Sequence, residues 1–313
     1  MKRFLALVPT DFSDASSCAL AHAIKLASGL GGEIHVLHVA EIPTHSVPDL
    51  PLDFIDVIES KSMAELNGQL KQFDSSLPPI TKVVRTGVPS KSPAEVTLEY
   101  ARDNEVDVIV MGTHGRRGTR RLLLGSVTEE VIRRSICPVL TVRQQKKACL
   151  IPTIEKILVP IDFSEASERV VEVAEKLALR TGASVTLMHI VDIEFYPFYG
   201  LTVDPVQLIE RNMIDISMTK LNDKVLELRK KGLHANWETD TGHPARIVAE
   251  YAERNNIDLI VIGSHGRSGF DRMMLGSISE KVIRSAPCPT VVVNTSVIPE
   301  VVDADWVMVR QEG

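Results

Sequence analysis

Apolar residues in this chain fall into short unbroken runs, separated by longer stretches in which they recur every three or four positions. The first run, Phe4-Leu5-Ala6-Leu7-Val8, is apolar without alternation, the mark of a strand buried on both faces. Ala15 to Ser28 has helical periodicity and a glycine stop at Gly29. A second strand is expected at Ile34–Val39, a long amphipathic stretch at 53–74 and a third strand at Ile80–Arg85. Then come a helix from Pro93 to Asn104, a fourth strand at Val108-Ile109-Val110-Met111, a helix from Val127 to Ser135 and a fifth strand at Val139–Val142. Within 53–74, Phe54, Val57, Ile58, Leu66, Leu70 and Phe73 make a stripe expected to face a core.

The series then repeats. Strands are expected at Ile157-Leu158-Val159, Val185–Ile190, His234–Thr239, Leu259-Ile260-Val261-Ile262 and Thr290–Val293, with helices at Ala166–Thr181 (glycine stop at Gly182), 205–231, Ala245–Asn255 and Ile278–Ala286. The offset between halves is 151 residues at most positions, widens to 155 between Gly87 and Gly242, and returns to 151 between Pro93-Ala94 and Pro244-Ala245. Four residues have thus changed loops, which alters a rim and leaves a sheet intact. Strands alternating with helices call for parallel sheets with right-handed crossovers. The expected architecture is α/β, two tandem doubly wound domains, each a five-stranded parallel sheet flanked by helices. Their expected limits are 1–145 and 154–296, with a linker over 144–153 and a C-terminal tail over 297–313 whose Asp305-Trp306-Val307-Met308-Val309 is either an edge strand or loose.

Composition narrows the partners. At 313 residues, 44% hydrophobic and 24% charged, the chain supports two ordinary cores, and a formal charge of −6 argues against nucleic-acid or membrane affinity. The start, interrupted by Asp11, is too short for a signal peptide, and no apolar run nears the roughly 18 residues of a membrane span, so a soluble cytoplasmic protein is expected. Cys18, Cys137, Cys149 and Cys288 contain no C-x-x-C pair. Cys137 and Cys288 each precede a proline at the start of a fifth strand and are read as small buried residues.

The candidate chemistry lies after the fourth strand of each half. Gly112-Thr113-His114-Gly115 is followed after nine residues by Gly125-Ser126, and Gly263-Ser264-His265-Gly266 with Gly276-Ser277 repeats the spacing. Glycines permit close backbone approach, and a helix start offers unpaired N–H groups with about half a positive charge, a combination suited to phosphate. Ser126 and Ser277 stand where an N-cap hydroxyl belongs, with Glu129 and Glu280 three residues on as in a capping box. Asp11 and Asp162 follow the first strand of each half, where open α/β sheets receive ligands; an N-cap or turn aspartate is the equally weighted alternative. His38 and His189 read as packed strand residues. His114 and His265 could act as acid or base, although loop shaping is favoured. The loop Glu194-Phe195-Tyr196-Pro197-Phe198-Tyr199-Gly200 reads as packed on its own helix or a partner, with a base-stacking lid as the sharper alternative.

The pattern G-x2-G-x9-G-[ST], with His114/His265, Arg116/Arg267, Gly118/Gly269, Arg121/Arg272 and Leu124/Leu275 in step, resembles the nucleotide-binding signature of the universal stress protein family. The resemblance covers nearly all of residues 1–295. It implies the adenine nucleotide alpha hydrolase-like form of a Rossmann-like fold, and an ATP, ADP or AMP ligand with an accompanying magnesium ion. It places Asp11 and Asp162 on the adenosine portion and the main chain around Val39 and Ile190 beside adenine. The implied nucleotide-binding set is Pro9, Asp11, Val39, Met111, Gly112, Gly115, Arg116, Gly125, Ser126, Val127 and Thr128, with Pro160, Asp162, Ile190, Ile262, Gly263, Gly266, Arg267, Gly276, Ser277, Ile278 and Ser279 in the second half. It further implies internal pairing of the halves through their fifth strands, with a homodimer and an unidentified protein partner as additional possibilities.

No catalytic residue and no metal site is assigned. The chain contains no G-x-x-x-x-G-K-[ST], no G-x-G-x-x-G after the first strand, no G-x-S-x-G and no H-E-x-x-H. The place of a pyrophosphatase-type S-G-G-x-D-S loop reads Pro9-Thr10-Asp11-Phe12-Ser13. The expected function is a stress-response binding module with slow or no hydrolysis; a weak nucleotide hydrolase and a nucleotide-gated dimerising scaffold are the alternatives. The spacers differ, Arg116, Arg117, Arg120 and Arg121 in the first half matching Arg267, Ser268, Asp271 and Arg272 in the second, so unequal sites are expected, the first preferring ATP over AMP in a salt-dependent way.

Overall fold

The computed structural model describes residues 3–41, 54–73, 77–87, 91–113, 124–143, 153–192, 203–266 and 274–295. They form two compact units, meeting in sequence at residues 151–152. The linker, the aromatic loop at 194–200 and the C-terminal tail lie outside the described residues, apart from Thr153.

In the first unit β1 (Leu5–Pro9), α1 (Asp14–Leu30), β2 (Glu33–Glu41), α2 (Phe54–Leu70), β3 (Ile80–Gly87), α3 (Pro93–Asp103), β4 (Val108–Gly112), α4 (Ser126–Arg134) and β5 (Val139–Val142) follow in order. The second unit has β6 (Lys156–Pro160), α5 (Glu165–Thr181), β7 (Ser184–Val191), α6 (Val203–Lys230), β8 (Ala235–Thr241), α7 (Pro244–Arg254), β9 (Leu259–Gly263), α8 (Ser277–Ser285) and β10 (Thr290–Val293). The strands pair in parallel in the order β3-β2-β1-β4-β5, and β8-β7-β6-β9-β10 in the second unit. Leu7, opposite both His35 and Ile109, marks the register. The order reverses direction between β1 and β4, so their carboxyl ends splay apart into a crevice, and β6 and β9 do the same.

Leu5 to Val8 and Ile157 to Val159 are buried throughout, as unbroken apolar runs require. At the opposite end of each sheet an aspartate ties the starts of the two central strands. Asp107 accepts from Leu5 N (2.7 Å), and Asp258 from Glu155 N (3.0 Å) and Lys156 N (2.9 Å). The glycine stop of α1 lies further on than expected: the helix runs past Gly29 and ends at Gly31, whose left-handed φ of 64° lets its N–H reach Ala27 O, as Gly182 does for α5 at 74°.

The stripe on α2 faces the core only in part. Leu66 is its one buried apolar side chain, Ser62 and Gln69 are buried beside it, and Val57 is 43% exposed. The equivalent face of α6 buries Leu221, Val225 and Leu228. The short α2 therefore depends more on polar anchors, among them Lys82 Nζ to Asn67 Oδ1 at 2.7 Å. Cys137 is buried and Cys288 half-buried, and burial pushes their thiols up to about 11 and about 12. No helix among the described residues is long and apolar enough to cross a membrane.

Candidate functional site

The crevice of each unit begins where its first strand ends. Main-chain pairing runs one residue past the strand, through Thr10 N to Leu37 O and Ile161 N to Met188 O, both 2.8 Å. The chain then bends through Phe12 (φ 63°) and Phe163 (φ 60°), a left-handed conformation that is unfavourable for a bulky residue. Two contacts hold it. The Phe12 and Phe163 rings lie 4.3 and 4.5 Å from the imidazoles of His38 and His189, whose Nδ1–H groups donate to Thr10 O and Ile161 O at 2.8 Å. The strand histidines are thus packed and hydrogen-bonded, next to Val39 and Ile190.

The bend aims the aspartates. Asp11 Oδ1 accepts from Ser13 N (3.1 Å) and Ser13 Oγ (2.6 Å), and Asp162 Oδ1 from Ser164 N (3.0 Å) and Ser164 Oγ (2.6 Å). Ser13 and Ser164 are the N-caps of α1 and α5. The caps are serines, and the aspartates orient them from two residues before.

In each unit the described ends of the glycine loop are tied to the fifth strand and to each other. Thr113 N bonds Val142 O at 3.0 Å, Ser264 N bonds Val293 O at 2.8 Å, and the returning chain is tied by Gly125 N to Thr113 O and Gly276 N to Ser264 O, each 2.9 Å. The expected capping box is absent. Gly125 and Gly276 are the N-caps, without a side-chain cap bond, while Ser126 and Ser277 are the first helical residues and are exposed. Close approach is the reason: a Cβ on Gly276 would lie 3.0 Å from Ser264 O. Glu280 pairs with Arg284 (3.1 Å) instead of reaching back. At the third helical position, Thr128 Oγ1 donates to Gly112 O (2.9 Å) and Ser279 Oγ to Gly263 O (2.7 Å), which pins each helix to its strand. The first-turn N–H groups of Ser126, Val127 and Thr128, and of Ser277, Ile278 and Ser279, have no acceptor within their helix by helical geometry.

The glycines do different work. A Cβ on Gly112 would sit 2.8 Å from the main chain of Ala15, and one on Gly263 would sit 3.1 Å from Thr295 Cγ2, so both serve packing around the first helix or the fifth-strand end. A Cβ on Gly266 would lie 2.9 Å from Asp162 Oδ2. The carboxylate and the loop, far apart in sequence, therefore meet, and Gly276 abuts Cα of His265 on the same loop. His265 bonds Ser264 Oγ at 2.9 Å through Nδ1 and Met274 O through Nε2, so both ring nitrogens brace the loop.

Pro9 and Pro160 end the first strands, and the Met111 and Ile262 side chains are buried, each residue paired in the sheet with the fifth strand. His114, Gly115, Arg116 and the spacer arginines Arg117, Arg120 and Arg121 lie outside the described residues, as do Arg267, Ser268, Asp271 and Arg272. Among the described residues no group of three or more His, Cys, Asp or Glu side chains could hold a metal ion. Sequence reasoning passed over Thr10, Ser16, Gln69 and Ser167. The available signal was a serine five residues after each site aspartate, in both halves.

The sequence matches the Universal stress protein family twice, over residues 6–143 and 153–294. A universal stress protein of Mycobacterium tuberculosis is 30% identical over 214 residues, covering 68% of this chain and 70% of the relative. One from Mycolicibacterium smegmatis is 26% identical over 291 residues, 92% of this chain and 96% of its own. In fold, a universal stress protein from Archaeoglobus fulgidus superposes with a TM-score of 0.69 at 23% identity, over 94% of this chain and 100% of that one. With one family match in each half and a chain-length structural counterpart, the protein belongs to the universal stress protein family as a tandem member.

Proposed function

We propose that each unit binds an adenine nucleotide, ATP foremost, and that the protein is a stress-response regulatory module whose interactions with a protein partner change with occupancy. The observation that carries this reading is the meeting of Asp162 Oδ2 with Gly266, on the loop that leads directly to the uncapped start of α8. One crevice then offers a carboxylate for donors of the nucleoside and a row of helix-start N–H groups for its phosphates. The family resemblance supports the same reading. The first unit has the same strand-end aspartate, Asp11, and the same helix start without a side-chain cap bond, at Gly125 and α4.

A magnesium ion would enter with the nucleotide, on its phosphate oxygens. His265 is engaged at both nitrogens in bracing the loop, so the reading assigns it to shape and gives hydrolysis a minor place. The test is mass spectrometry of nucleotide released from freshly purified protein, followed by calorimetric titration with ATP, ADP and AMP. Submillimolar binding of an adenine nucleotide is expected; failure of all three to bind overturns the proposal.

A further inference from the structure

In the second unit the glycine loop is held by the chain that leaves β10, and one buried hydroxyl makes the connection. Ser264 is fully buried, and Thr295, also buried, donates from its main-chain N to Ser264 Oγ at 3.1 Å. Thr295 Oγ1 lies 3.4 Å from the same oxygen, and Thr295 O accepts from the Arg169 guanidinium on α5. On its other side Ser264 Oγ is 2.9 Å from His265 Nδ1. His265 Nε2 in turn bonds Met274 O at the returning end of the loop, two residues before the Gly276 cap of α8.

The chemistry of these groups fixes the direction of each bond. A carbonyl oxygen only accepts, so His265 Nε2 carries a proton, and in the neutral imidazole Nδ1 is then an acceptor. Ser264 donates its single proton to Nδ1, the nearest of its acceptors, since Asn294 Oδ1 is 3.4 Å away. Its two lone pairs take Thr295 N–H and Thr295 Oγ1–H. The buried hydroxyl is thereby satisfied in full, as burial requires. A directed relay thus runs from the end of β10 through Ser264 and His265 to Met274. It ends beside the helix start whose first-turn N–H groups have no acceptor within the helix.

We propose that Ser264, held by Thr295 and acting through His265, is a positioning residue for the nucleotide phosphates in the second unit. The inference rests on the nucleotide-binding reading above. The relay sets where the chain returns to the start of α8 before a ligand arrives. Without the hydroxyl, Thr295 N–H and His265 Nδ1 lose their common partner, and ordering of the loop is left to the binding step. Apparent affinity then falls with the fraction of molecules whose loop is already in place.

The experiment uses the full chain, titrated with ATP and followed by hydrogen exchange read by mass spectrometry. Peptides from α8 report the second site, and peptides from α4 report the first as an internal control. Ser264→Ala should raise the ATP midpoint of α8 by about three- to tenfold, the equivalent of one hydrogen bond of ordinary net strength, and leave that of α4 unmoved. Ser264→Thr should restore the α8 midpoint, since it keeps the hydroxyl and the first unit buries a threonine, Thr113, at the same place. His265→Phe keeps a ring and loses both nitrogens, so it should give a similar shift. Combining it with Ser264→Ala should add little, because the series is already broken. The His265→Phe arm decides the matter if Ser264→Ala unfolds the second unit. A hydroxyl that serves stability alone would lower the protection of β6 and β9 without ATP and leave the α8 midpoint where it was, because a unit folded in all but a small fraction of molecules binds as before. That result overturns the inference, and so does a shift that Ser264→Thr fails to restore. If the wild type shows no ATP-dependent protection in either unit, the nucleotide reading falls and this inference with it; if the wild type binds and the variants match it, this inference alone falls.

Discussion

One methyl group distinguishes the two fourth-strand glycines. On Gly112 a Cβ would meet C, O and Cβ of Ala15, all at 2.8 Å, and two of those atoms are main chain in the first turn of α1. On Gly263 the nearest atoms are Thr295 Cγ2 at 3.1 Å, His265 O at 3.2 Å and Val170 Cγ2 at 3.3 Å, two of them ends of side chains. Overpacking costs roughly 1–3 kcal/mol, with the upper end where main chain must shift. Gly112→Ala should therefore cost about 2–3 kcal/mol and Gly263→Ala about 1 kcal/mol or less. For a unit of this size that amounts to about 4–12 °C against about 2–4 °C in melting temperature. Because a two-unit chain need not unfold in one step, hydrogen exchange read by mass spectrometry is the suitable assay, with β1 and β4 peptides reporting one unit and β6 and β9 peptides the other. Gly112→Ala should lower protection in β1 and β4 and leave β6 and β9 unchanged. It should also weaken ATP binding in the first unit, since the displaced turn carries the Ser13 cap that Asp11 orients. Equal losses for the two substitutions, or a larger one for Gly263→Ala, would refute the contact argument.

Gly266→Leu should weaken ATP binding in the second unit at least about tenfold, since its side chain enters at the Asp162 carboxylate, while the melting temperature holds; unchanged affinity by calorimetry would count against the site. The Cys137 and Cys288 thiols, raised by burial to about 11 and about 12 from an ordinary 9.0, stay protonated in the folded chain while unfolded thiols ionise above pH 9. Their contribution is therefore fully present below pH 9 and is lost as pH rises toward the folded values. Urea midpoints should fall between pH 8 and 10.5, and Cys137→Ala with Cys288→Ala should flatten that limb; an identical slope in the double variant contradicts the assignment. Phosphate release from ATP by pure protein should stay well under about 1 per second, the low end of ordinary enzymes, and steady release at several turnovers per second would favour a hydrolase.

Both site aspartates lie at a strained bend that the sequence does not announce. Phe12 and Phe163 carry the left-handed backbone that glycine would adopt without cost, and each ring is packed on an imidazole already bonded to the strand end. Strain of this kind persists where packing over-determines it. Its occurrence at both candidate sites, beside both aspartates, fits a role in holding the carboxylate in place for a ligand.

The sequence alone determined the repeat, the parallel α/β class, the elements and the glycine loops at the crevice. Hydrophobic run length, helical periodicity and fixed spacing are properties of neighbours along the chain, so they survive without knowledge of packing. Loop ends and caps were legible less well. Ser126 and Ser277 carry the right side chain for an N-cap, but the caps are Gly125 and Gly276, and on Gly276 a Cβ would lie 3.0 Å from Ser264 O of the glycine loop. The α2 stripe was visible as periodicity, yet its burial depends on how the helix sits on its sheet, and only Leu66 is fully covered. Tertiary structure also decided which acceptor each serine hydroxyl takes. Ser16 and Ser167 are the same residue at the same place in the repeat, yet Ser16 Oγ donates to Ser13 O and Ser167 Oγ to Asp162 Oδ1. A hydroxyl rotates freely among acceptors within about 3 Å, so its partner is set by distances between segments remote in sequence, which no local pattern encodes.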